Sequence, residues 1–172
     1  KTIRVMWRVK NLDTKTMFFS IGGHPAFMCP IDEADKQSNC YLVFDTKQPL
    51  YYSKLSKNGL VESENHELQT KSGFLKIQEH LFDEDALVIE KTQAHKVSLA
   101  GPDKRPYLTV EFDAPLFGLW SPAGKHAPFV CIEPWYGRCD KESFDGMLAD
   151  REYGNELRAG KEFEASYTIT VQ

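Results

Sequence analysis

Over the first ten positions apolar and polar side chains alternate: Ile3, Val5, Trp7 and Val9 fall on one face of an extended chain, Arg4, Met6 and Arg8 on the other. That period of two predicts a strand from Ile3 to Val9, followed by a turn at Asn11 to Thr14. Short apolar runs at Met17 to Ile21, Cys40 to Phe44 and Phe74 to Ile77 predict further strands. Leu81 to Ile89 moves from an acidic turn into another. Val97 to Leu99 and Tyr107 to Phe112 flank Gly101-Pro102-Asp103-Lys104, a hairpin signal. Phe117 to Trp120 and Phe129 to Ile132 read as strands around a loop, and Phe163 to Val171 alternates strongly. Only Asp145 to Arg151 has modest helical character. Many short strands with turns between them predict an all-β fold, an antiparallel sandwich or barrel rather than βαβ units. No repeat or linker divides residues 1 to 172, which read as a single domain.

Composition narrows this picture. A chain of 172 residues with 41% hydrophobic and 27% charged residues can build an ordinary core, and it has no long apolar span to cross a membrane. The net charge is −4 with Lys and Arg scattered among acids, so a nucleic-acid partner is not expected and a small neutral ligand is. Cys29, Cys40, Cys131 and Cys139 form no C-x-x-C pair, and they read as reduced, packed thiols of a cytoplasmic protein. The chain opens inside regular structure at Lys1-Thr2-Ile3-Arg4-Val5, which suggests a preceding region.

Two segments carry the candidate chemistry, Gly22-Gly23-His24-Pro25-Ala26-Phe27 and Cys131-Ile132-Glu133-Pro134-Trp135-Tyr136-Gly137. Each sets one proton-transfer side chain before a proline, which holds its backbone extended. Imidazole titrates near neutrality and a partly buried Glu is tuned toward it, so His24 and Glu133 can divide acid and base roles. They would have to face each other across a space holding one sugar ring. The alternatives are a turn histidine and a strand-end Glu at the end of the Phe129–Ile132 run. Trp120 and Trp135 offer flat faces for a pyranose, though aromatics at strand ends also serve as core. Asp83 and Asp85 sit in the acidic turn, where Asp often accepts local backbone N–H groups. Lys125, Arg138 and Lys141 are the cations available to a phosphate. The histidines show no metal-ligand spacing, and neither a P-loop nor a dinucleotide fingerprint is present.

Taken together, Phe19 to Phe27, Leu81 to Val88, Leu119-Trp120-Ser121-Pro122 and Ile132 to Gly137 resemble the aldose 1-epimerase (galactose mutarotase)-like family. The resemblance runs almost end to end. It implies a mutarotase-like supersandwich with sugar in an open cleft and neither metal nor cofactor in catalysis. By it His24 is the acid that protonates the ring oxygen, Glu133 the base that takes the C1 hydroxyl proton, and Asp85, or its neighbour Asp83, a hydroxyl-binding acid. Family members are longer, so the chain corresponds to their C-terminal portion and the sandwich is expected to be incomplete. Weak or no activity and self-association through an exposed edge such as Ile3 to Val9 follow as expectations. A carbohydrate-binding domain or a sugar-phosphate 1-epimerase on the same scaffold is the alternative.

Overall fold

The computed structural model describes residues 1–172. Its strands are β1 (Thr2–Lys10), β2 (Met17–Phe19), β3 (Ile21–Gly22), β4 (Ala26–Met28), β5 (Tyr41–Phe44), β6 (Leu50–Tyr52), β7 (His66–Leu68) and β8 (Phe74–Lys76). They continue as β9 (Leu87–Ile89), β10 (Lys96–Ala100), β11 (Pro106–Phe112), β12 (Leu116–Trp120), β13 (Phe129–Tyr136), β14 (Asn155–Leu157) and β15 (Glu162–Val171). Every paired strand runs antiparallel to its neighbour.

A six-stranded sheet in the order β1-β15-β11-β10-β5-β8 lies against a five-stranded sheet in the order β3-β13-β12-β9, with β4 also paired to β13. The alternation seen in the sequence decides what lies between them. Leu42, Phe44, Val97, Leu99, Leu108, Val110 and Phe112 from the first sheet meet Leu87, Ile89, Phe117, Leu119, Val130 and Ile132 from the second in one buried cluster. Burying an aliphatic or aromatic side chain of this size contributes about 1.5–3 kcal/mol, which makes this layer the main support of the fold. The antiparallel sandwich is therefore as the alternation predicts.

At one end of the six-stranded sheet β1 pairs with β15 alone, in an unbroken register from Thr2↔Thr170 to Lys10↔Glu162. Arg4 donates to Ser166, and Arg8 binds Glu162 across the two strands. The Gly101–Lys104 segment is the expected turn between β10 and β11, with Lys104 in the left-handed region at φ 63°. The helical expectation for Asp145 to Arg151 is not met: only a 3-10 turn forms at Leu148–Asp150. Met147 and Leu148 are exposed there, and without a face to bury, an isolated turn of helix does not propagate.

Candidate active site

The strand expected to stop at Ile132 runs on through Glu133 and Pro134 to Tyr136. Pro134 is tolerated because of what its neighbours do. In an antiparallel ladder a residue's N and O point to the same side, and the Pro134 carbonyl accepts a bond from Gly23 N–H at 3.0 Å. The missing Pro134 donor therefore faces the gap between β3 and β4, where the chain leaves the ladder over Gly23 to Pro25 and demands no further bond. His24 sits on that arch. The two prolines accordingly belong to one device, a short arch held over a central strand.

Alternation along β13 sends Val130 and Ile132 into the core and Cys131, Glu133 and Trp135 to the outer face of the five-stranded sheet. Loops cover that face, so Glu133 is only 5% exposed. His24 Nδ1 lies 2.9 Å from Glu133 Oε1, with the imidazole largely in solvent and the carboxylate buried. The pair is thus in contact and is not separated by the width of a sugar ring, a correction to the expected geometry. The ring oxygen and the C1 hydroxyl of an aldose are bonded to the same carbon, so an acid and a base for both oxygens belong side by side.

Burial, the largest influence, pushes Glu133 up from the ordinary 4.5 to about 7. A bond from Trp135 opposes this, and the nearby Asp85 charge adds to it. Trp135 owes its position to missing side chains: a Cβ on Gly118 would come within 2.5 Å of the indole, and one on Gly22 within 2.7 Å. The second glycine of the Gly22-Gly23 pair meets Tyr167 in the same way at 3.0 Å. Trp120 packs edge-on to His24 at 5.6 Å between ring centroids.

A cavity of about 530 Å³ opens over this pair, lined by His24, Glu133, Trp120, Trp135, Asp83 and Asp85 together with Leu55, Ala86, Pro122, Ala123 and Lys125. That volume falls in the range of about 300–1,000 Å³ usual for small-molecule sites. The first six of these lining residues are the side chains that the sequence singles out for a sugar site. Asp83 is engaged by His80 at 2.7 Å, whereas Asp85, at φ 72°, accepts only from the adjacent Ala86 N–H at 2.8 Å. Asp85 is the better placed of the two to meet a hydroxyl. Of the cations, Arg138 is buried against Glu90 and Glu152, Lys141 binds Glu152, and Lys125 alone lines the cavity.

One site residue escaped the sequence pattern. Cys131, two positions before Glu133 on the same face, puts its sulfur within 4.8 Å of donor atoms of both His24 and Glu133. The i, i+2 spacing from Glu133 is its only signal, and a strand offers that spacing to every other residue. All four cysteines are free.

Comparison with known proteins bears on the class. A galactose mutarotase related enzyme from Lactobacillus acidophilus superposes with a TM-score of 0.89 at 30% identity, over 99% of this chain and 57% of its own. A galactose mutarotase-like protein from Lactobacillus casei does so with a TM-score of 0.87 at 23% identity, over 98% and 58%. The chain has the galactose mutarotase-like fold and resembles these proteins along its whole length. In sequence it is similar to protein LacX of Lactococcus lactis subsp. lactis, chromosomal and plasmid forms alike, at 32% identity over 99% of this chain and 58% of the relative. The chain thus spans a little over half the length of the relatives it matches. No family model matches it. No helix is long and apolar enough to cross a membrane.

Proposed function

We propose that the site interconverts the α and β anomers of a hexose or related aldose, with His24 as acid and Glu133 as base. The observation that carries the reading is the 2.9 Å contact between an exposed imidazole and a buried carboxylate at the floor of a cavity of ligand size. Protonated His24 donates to the ring oxygen while the Glu133 carboxylate takes the proton from the C1 hydroxyl, and the C1–O bond of the ring breaks to give the open-chain aldehyde. Rotation about C1–C2 and the reverse proton transfers close the ring on either face. These reverse transfers leave His24 protonated and Glu133 ionised again, so each turnover ends with the pair in its starting state. Positioned acid and base groups contribute about 10²- to 10⁴-fold, enough for a reaction that water already performs slowly. Trp120 and Trp135 supply apolar faces for the ring, and Asp85 a hydroxyl acceptor.

Anomer exchange of glucose and galactose, followed by magnetisation-transfer NMR, tests this. The expected result is acceleration over buffer that His24→Asn and Glu133→Gln both abolish. Sugar binding without acceleration would overturn catalysis in favour of a carbohydrate-binding domain. The single cation Lys125 in the cavity supports a phosphorylated substrate as a second reading, in which hexose 6-phosphate exchanges faster than hexose and Lys125→Ala removes the preference. The residues form a single domain in this reading, and copies pair through the β1 edge, where Ile3 and Met6 are exposed. Size-exclusion chromatography is expected to show a dimer, and a monomer at all concentrations contradicts the pairing.

A further inference from the structure

The outer face of the five-stranded sheet gathers three donors of different chemistry within one small volume. An imidazole nitrogen of His24, the sulfur of Cys131 and a carboxylate oxygen of Glu133 all lie within 4.8 Å of one another. Cys131 and Glu133 reach this point from alternate positions of one strand, whose register is fixed by β12 through Trp120↔Cys131 and Gly118↔Glu133. On the other side Cys131 pairs with Ala26, and the arch that carries His24 closes over the strand just beyond. Two donors are therefore rigid and the third rides on an exposed ring that can turn.

We propose that this triad is a binding site for a thiophilic divalent cation, with zinc as the natural occupant, and that the cation inhibits the enzyme. Zinc bonds of about 2.0–2.1 Å to nitrogen or oxygen and about 2.3 Å to sulfur, in a tetrahedron, set donors about 3.3–3.6 Å apart. His24 and Glu133 are at 2.9 Å already, so turning the free imidazole and a shift of about 1 Å complete the geometry. Three protein ligands leave a fourth position open to water or a sugar oxygen. Binding breaks the His24–Glu133 hydrogen bond and releases the Cys131 thiol proton to the buffer, leaving thiolate, carboxylate and neutral imidazole on the metal. With both lone pairs engaged, neither acid nor base can serve the sugar. The inhibition rests on the acid and base roles given above; the metal site does not.

Cobalt(II), which gives a thiolate-to-metal charge-transfer band in the near ultraviolet, is the probe for the whole chain. The expected result is a band saturating at one cobalt per chain, erased by added zinc. Cys131→Ser should lose the band, and Cys139→Ser should keep it. Since a buried substitution can disturb folding, the exposed His24→Asn provides the second arm, with an expected loss of about ten-fold or more in cobalt affinity. Absence of the band in the parent, or its survival in a folded Cys131→Ser protein, overturns the site. Zinc should also block anomer exchange in the parent and be reversed by a chelator. If the parent exchanges anomers and zinc leaves the rate unchanged while the band is present, the inhibitory role fails and the site stands. If the parent shows the band but no exchange, the acid and base reading fails instead.

Discussion

Glu90 and Glu133 are buried to nearly the same extent, at 8% and 5% exposure, yet the molecule treats them differently. Glu90 is met by Arg138, a permanent cation that also binds Glu152 and lies over the Tyr153 ring. Glu133 is met by an imidazole, which carries charge only when protonated, and by a neutral indole. A guanidinium compensates a buried carboxylate at every working pH and so builds a structural knot. An imidazole leaves the carboxylate to titrate near neutrality, where a base has to operate. Similar burial thus meets a permanent counter-charge in one region and a titratable one in the other, and in the proposed reading that difference separates support from reactivity.

Removing either half of the reactive pair should have the largest effect. His24→Asn or Glu133→Gln is expected to lower the anomer exchange rate by about 10²-fold or more, while urea unfolding shows the fold intact. The structural knot should respond in the opposite sense. Arg138→Met leaves Glu90 buried without its cation and is expected to destabilise the protein by about 3–5 kcal/mol in urea titration, with recovery in the Arg138→Met, Glu90→Leu double variant.

Glu133→Gln sharpens the contrast further. A carboxyl whose folded-state pKa lies above its unfolded value stabilises the fold while protonated; that contribution is full below about pH 4.5 and is lost as pH rises through about 7. The difference corresponds to about 3 kcal/mol, less about 1 kcal/mol for the lost contact with His24. Glu133→Gln should therefore be more stable than the parent by about 2 kcal/mol at pH 8, and by less at pH 5. A stabilisation equal at both pH values would show that the parent carboxylate was never strained. An effect of similar size is expected at Gly118→Ala, where the added methyl displaces Trp135 at a penalty of about 1–3 kcal/mol and lowers sugar affinity in NMR titration.

What could be read from the sequence follows the physics of each element. β1, β15 and the β10–β11 hairpin stand out because a half-buried strand writes its period of two into the side chains. β4, β6, β7 and β14 each pair over only three residues, too short for alternation to register. His24, Glu133 and Trp135 were legible as types beside prolines and glycines, Asp85 as an acid in a turn and Trp120 as a strand-end aromatic, but the distances between them were not. Contact between His24 and Glu133 depends on where the chain leaves the β3–β4 edge. Cys131 was hidden for a related reason, since a sulfur on a strand looks like packing until the facing arch is known. The helical reading of 145–151 failed because local propensity says nothing of whether a surface exists for Met147 and Leu148 to cover.

The account turns on the ionisation of one side chain. Carbon-13 NMR of the Glu133 carboxyl, assigned by comparison with Glu133→Gln, should show a midpoint at about pH 7. A midpoint at the ordinary 4.5 would mean that burial leaves the Glu133 carboxyl unperturbed, and that it is no base.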